Sequence, residues 1–197
     1  PDRLDPIVDK IVIEGTGCIF TDHLFANRCV IFLCRGSNIN VNWLTFNNTA
    51  TSASNYDIPV GGGTTYDDGL ISGTTYSNIQ CYQLLGLNSW ITCSFQMSNT
   101  DDGTIKFKDI EYIFCKSTAR PTAASAGNFN FRSDPPHKIE NAKMIGCSGK
   151  NGKTASSFNY VGIKRGSVSI CDSELNFYGA CEIENGCEGI VVNNLRS

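Results

Sequence analysis

Apolar and polar residues alternate in short runs along this chain. Ile105-Lys106-Phe107-Lys108, Asn128-Phe129-Asn130-Phe131-Arg132 and Ser37-Asn38-Ile39-Asn40-Val41-Asn42 each send every second side chain to the same side. A period of two predicts strands with one buried face and one wet face. Cys29-Val30-Ile31-Phe32-Leu33-Cys34 is continuously apolar and has the length of a fully buried strand. β-branched and aromatic residues dominate the inward positions, as a pleated, half-buried surface requires. Helical spacing at i, i+3, i+4 and i+7 never persists beyond two turns, so the pattern predicts an all-β chain.

The strands recur with a cysteine. Trp90-Ile91-Thr92-Cys93-Ser94, Tyr112-Ile113-Phe114-Cys115-Lys116, Met144-Ile145-Gly146-Cys147-Ser148 and Val168-Ser169-Ile170-Cys171-Asp172 align, and Ile31-Phe32-Leu33-Cys34-Arg35 fits more loosely. The steps from Cys93 to Cys115, Cys147 and Cys171 are 22, 32 and 24 residues. The longest step holds the polar stretch Thr118 to Gly127, without which the period is close to 22–24. A leucine-rich repeat would need a leucine consensus, and a propeller blade needs about 40 residues and hairpin turns. Asn151-Gly152 and Asn185-Gly186 are the only clear hairpin dipeptides. The period predicts a right-handed parallel β-helix, a β-solenoid of roughly eight coils with loop insertions, spanning residues 1–197 as one segment. Stacked coils lie ~4.8 Å apart, so the repeating cysteine predicts a ladder inside the core. Asn38, Asn78, Asn99 and Asn141 predict a second ladder at the turns.

Composition narrows the class. The chain has 197 residues, 41% hydrophobic and 18% charged, which predicts one packed core rather than disorder. Its net charge of −3 and the absence of a Lys/Arg stripe argue against a nucleic-acid partner. No apolar run nears the ~20 residues that span a bilayer, so membrane insertion is not expected. Pro1-Asp2-Arg3-Leu4-Asp5-Pro6 lacks the apolar core of a signal peptide. The ten cysteines form no CxxC pair, and His23 and His137 stand alone, so no metal is expected, and no cofactor either. Cysteine stacks well as a small buried hydrophobe, which predicts free thiols and folding in a reducing bacterial cytosol. Gly189-Ile190-Val191-Val192-Asn193-Asn194-Leu195 reads as an unfinished strand, so a fragment of a longer protein is expected.

The repeated strand-turn units from Ile11 to Leu195, with polar loops such as Asn47 to Thr75, resemble the parallel β-helix domains of bacteriophage tailspikes and tail fibres. The resemblance is one of architecture and covers nearly the whole chain. It implies a homotrimer on the virion tail that binds, and in many members cleaves, a bacterial surface polysaccharide. Pectate-lyase-like enzymes share the architecture, but their calcium-binding carboxylate pattern is not found here.

Glycoside hydrolysis needs two carboxyl groups about 5 to 9 Å apart, one protonated and one ionised. On a strand, residues i and i+2 point the same way, ~7 Å apart. Asp109 with Glu111, and Glu182 with Glu184, meet that spacing and are candidate catalytic pairs. The plain reading of each is a solvated strand face, with Lys106 and Lys108 balancing the first. Asp67 and Asp68 end the insertion Asn47–Tyr66 and are further candidates, although Asp-Asp-Gly is ordinary turn chemistry there and at 101–103. The same insertion supplies candidate ligand-binding residues: Tyr56 and Tyr66 to stack on sugar rings, and Asp57 to accept hydroxyl hydrogen bonds. Trp43 and Trp90 are expected in the core rather than as sugar platforms. Phe158, Tyr160 and Tyr178 are expected outside, as contacts between copies. Asn47-Asn48-Thr49 is a glycosylation sequon. The alternatives to a host-recognition spike are a structural shaft without a site of its own and a secreted polysaccharide lyase. The lyase would draw its cation from Arg120, Arg132, Lys164 or Arg165.

Overall fold

The computed structural model describes residues 11–14, 19–22, 29–48, 57–66, 69–98, 103–120, 127–133, 138–152, 156–176 and 179–197. These residues contain strands and no helix. The chain passes through β1 (Ile11–Glu14), β2 (Ile19–Asp22) and β3 (Cys29–Leu33), then β4 (Ile39–Asn42), β5 (Thr45–Asn48) and β6 (Asp57–Gly62). A third pass makes β7 (Thr75–Tyr82), β8 (Leu85–Ser89) and β9 (Cys93–Met97), and a fourth β10 (Lys106–Ile113), β11 (Lys116–Ala119) and β12 (Phe129–Ser133). Then follow β13 (Ile139–Ile145), β14 (Ser148–Lys150), β15 (Phe158–Val161), β16 (Lys164–Ser169), β17 (Asp172–Glu174), β18 (Cys181–Glu184) and β19 (Glu188–Asn193).

Every strand pairs in parallel with the strand three places along. The first sheet runs β1-β4-β7-β10-β13-β16-β19, the second β2-β5-β8-β11-β14-β17, and the third β3-β6-β9-β12-β15-β18. The fold is therefore all-β with three parallel sheets visited in turn, an arrangement consistent with a parallel β-solenoid. The described strands make six such passes before β19. Ile11 pairs with Ile39, then Ile79, Ile110, Ala142, Gly166 and Ile190 follow in one row. Successive rungs are thus 28, 40, 31, 32, 24 and 24 residues apart. Only the last two steps match the uniform 22–24-residue period, because loops between sheets lengthen the others.

Rows of identical depth build the core. In the first sheet Val41, Cys81, Tyr112, Met144 and Val168 stack inward, each 1% exposed or less. In the third sheet Val60, Cys93, Phe129 and Phe158 form one inward row, and Phe95, Phe131 and Tyr160 the next. The rings meet face to face: Phe129 and Phe158 lie 5.8 Å apart at 5°, and Tyr112 and Phe131 4.4 Å apart at 17°. Each fully buried side chain of this size adds about 1.5–3 kcal/mol of transfer free energy. Phe158 and Tyr160, expected outside, are core residues for this reason; Tyr178 lies outside the described residues.

The cysteine ladder is real but shorter than the sequence alignment suggests. Cys115, Cys147 and Cys171 occupy the corner just before β11, β14 and β17, below Leu44 and Leu84. Each thiol donates to a carbonyl of the previous rung: Cys115 to Cys81 at 3.3 Å, Cys147 to Tyr112 at 3.3 Å and Cys171 to Met144 at 3.5 Å. Cys93 instead opens β9 in the third sheet, and Cys34 follows β3, so neither belongs to that row. The eight cysteines whose side chains are described are all free thiols.

Candidate functional site

The outward face of the third sheet gathers more chemistry than any other described surface. Its strands alternate, so two rows point away from the core. One row is Gly61, Ser94, Asn130, Asn159 and Glu182; the other is Gln96, Arg132, Val161 and Glu184. Gly62 and Gly63 let the chain close over the start of this face. A Cβ on Gly62 would lie 2.6 Å from the Phe95 ring, and Gly63 holds φ 106° against the Gln96 carbonyl. The turn after them brings Tyr66 across the sheet. Its hydroxyl lies 2.8 Å from Ser94 Oγ and donates to Gln96 Oε1 at 3.0 Å. Asn130 Nδ2 donates to Ser94 Oγ at 3.0 Å, which fixes the amide, and Asn130 is 7% exposed.

Beyond Tyr66 the face opens into a groove of about 220 Å³. Trp90, Gln96, Asn130, Arg132, Ser156 and Asn159 line it. Trp90 is half-buried against Ala119 rather than in the core, so it forms a wall. Asn159 Oδ1 is buried and has no hydrogen-bond partner.

Glu182 and Glu184 continue the same two rows on β18. Hydrogen bonding with the Glu184 side chain, then burial and mutual repulsion, favours the protonated form and pushes the Glu182 carboxyl up to about 7. A backbone hydrogen bond at Ser156, which lines the groove, acts in the opposite direction. The pair therefore holds one proton near neutrality, the state that acid–base chemistry requires. Sharing a proton in this way is a different arrangement from the ~5 Å carboxyl separation of a retaining glycosidase.

The other carboxylate pair lies on the first sheet, away from this groove. Asp109 sits at φ 53° and accepts a hydrogen bond from Asn141 Nδ2. It takes the place in the asparagine ladder that the sequence assigned to Asn99, which lies outside the described residues. Glu111 is held between Gln80 Nε2 at 3.3 Å and Lys143 Nζ at 3.0 Å. Both carboxylates are engaged by neighbouring rungs. Asp67, Asp68 and Tyr56 lie outside the described residues, as does His137. Asp57 opens β6, and its side chain is outside them too. Of the lyase cations, Arg120 is buried and donates to the Asn88 carbonyl, and Arg165 pairs with Glu140. Trp43 stands on the corner between the first and second sheets, 44% exposed. Among the described residues no group of three metal-ligating side chains occurs, and no helix is long and apolar enough to cross a membrane.

Sequence reasoning missed Ser94, Gln96, Asn130 and Asn159 as site residues. The signal was present: Asn130 and Arg132 are the polar positions of an alternating run. Aligning that run with Phe158-Asn159-Tyr160 and Cys181-Glu182-Ile183-Glu184 yields both rows at once. Compared with known protein families, curated proteins and solved structures, the chain matches none.

Proposed function

We propose that this chain is a right-handed parallel β-helix of the tailspike kind, which binds a bacterial surface polysaccharide along the outward face of its third sheet. The observation that carries the reading is the groove beside Trp90. It joins an aromatic wall to the amides of Gln96, Asn130 and Asn159, and its size suits one or two sugar residues. Indole faces stack on the apolar side of a sugar ring, and amides exchange hydrogen bonds with its hydroxyls. The right hand follows from the near-universal right-handed crossover between parallel strands. Eight unpaired cysteines support folding in a reducing bacterial cytosol before action on a virion tail. A homotrimer is supported by Trp43, Phe114 and Ile170, which expose 44%, 48% and 63% of their surface along one edge.

Depolymerisation is the finer part of the proposal, and the Glu182/Glu184 pair supports it by holding one proton near pH 7. The alternative, a structural shaft, is favoured by the first sheet, whose outward row Lys108, Glu140, Lys164 and Glu188 alternates in sign. A panel of capsular and O-antigen polysaccharides separates them. Retention of at least one polymer is expected, with a fall in its viscosity if the pair cleaves. A folded chain that retains none is the shaft.

A further inference from the structure

We infer that the groove on the third sheet selects an acidic sugar, a uronate-type residue whose carboxylate is held by Arg132 while a hydroxyl donates to Asn159 Oδ1. The inference rests on the polysaccharide reading above and names the ligand class. Two groups in one groove are left with complementary demands. Arg132 is exposed on the groove wall and has no ion pair among the described residues. Its own row offers it Gln96 and Val161, one amide and one valine. The nearest carboxylate in that row, Glu184, is two rungs off, roughly 10 Å by rung spacing.

On the other sheets several surface cations are matched, Lys143 with Glu111, Lys150 with Glu174 and Arg165 with Glu140, whereas Arg132 is the cation that lines the groove. Asn159 is the opposite case, a buried acceptor without a donor. Leaving such an atom unmade costs about 1–3 kcal/mol, which a hydroxyl donor recovers.

Asn159 and Arg132 are diagonal neighbours. Asn159 pairs with Asn130, two residues before Arg132, and Arg132 pairs with Val161. Their Cα atoms are therefore about 7–8 Å apart, the reach of one pyranose from a ring hydroxyl to its carboxylate. A guanidinium grips a carboxylate through two parallel N–H donors, a geometry that a neutral sugar cannot use. Trp90 across the groove offers the stacking face. A ligand that both accepts a charged fork and donates a hydroxyl answers Arg132 and Asn159 together.

The test is binding of the full chain to polygalacturonate, alginate and hyaluronate, with dextran as the neutral polymer. The wild type is expected to bind at least one uronate polymer at least about tenfold more tightly than dextran. Arg132→Gln is expected to remove that preference, and Arg132→Lys to keep part of it, with unchanged melting because the side chain is exposed. Dextran binding as tight as uronate binding, or an Arg132→Gln chain that still prefers uronates, overturns the inference and leaves the polysaccharide reading standing. Failure to bind any of these four polymers overturns the inference, and failure on the capsular and O-antigen panel as well overturns both.

Discussion

Glu182 shows how one side chain answers to its neighbours. Its carboxyl is pushed up to about 7 from an ordinary 4.5, first by the hydrogen bond to Glu184 and then by burial. A carboxyl raised in the folded state binds its proton more tightly there than in the unfolded chain. The stability it contributes is whole below about pH 4.5 and is lost as pH rises toward 7. Wild-type melting temperature is therefore expected to fall over that window by more than that of Glu184→Gln, which cannot take up a shared charge. Parallel pH–melting profiles for the two proteins would show that the carboxyls do not interact. This pair was legible from the sequence as two outward carboxylates flanking an apolar residue. Their contact was not, because i and i+2 spacing sets the Cα geometry while rotamers decide whether oxygens meet. The inward direction expected of Ile183 holds in register with Tyr160, yet it is 46% exposed. β18 is the outermost described strand of its sheet, so no described rung covers it.

Strands here turn on left-handed residues placed at the same point of successive described rungs. Asn38, Asn78, Asp109, Asn141 and Arg165 all hold φ between 53° and 61°, and each precedes the residue that stacks in the first sheet's inward row. Asn and Asp tolerate this region best among residues with a side chain, and they bond along the axis. Asn78 Nδ2 donates to Asn38 Oδ1 at 2.8 Å, and Asn141 does the same to Asp109. Asp109 is then a ladder residue, and Asp109→Asn is expected to change stability by less than about 1 kcal/mol. Asp109→Ala, which loses both the tolerated backbone and the hydrogen bond, is expected to cost about 1–2 kcal/mol in urea unfolding. If the polymer is cleaved and Asp109→Asn abolishes cleavage, the ladder role is insufficient. Alternation located the strands around 37–42, 105–108 and 128–132, and three of these asparagines are legible from their places beside apolar strands. It missed Asp109 because one left-handed residue puts Lys108 and Asp109 both outside and shifts the period by one. It also misplaced Cys93, since a corner cysteine and a strand-opening cysteine both follow apolar residues in sequence and differ only in which sheet comes next.

At the scale of the molecule, the corner between the first and second sheets carries a strain that the chain does not use internally. Trp43, Phe114 and Ile170 hold φ of 60°, 52° and 55°, where Gly146 and Asn194 occupy the equivalent corner of other rungs without such cost. Bulky and β-branched residues in this region cost about 1–2 kcal/mol each. Their side chains point outward, and only part of each is covered: Tyr82 lies edge-on between Trp43 and Phe114 at 5.4 and 6.1 Å, and the Phe114 ring rests over Gly146. The sequence placed Trp43 inside because an apolar neighbourhood normally means core, and the positive φ that turns it outward leaves no mark in composition. Three exposed apolar groups on one edge, each less stable than an asparagine there, gain their use when a second surface covers them. Replacing them together, Trp43→Asn, Phe114→Asn and Ile170→Asn, is expected to leave the isolated chain as stable or more so. The same change is expected to shift sedimentation from trimer toward monomer at tens of micromolar. A triple variant that sediments with the wild type as a trimer would place the interface elsewhere. A wild type that is monomeric under those conditions would remove the trimer, and the strained corner would then have to be explained by a different partner.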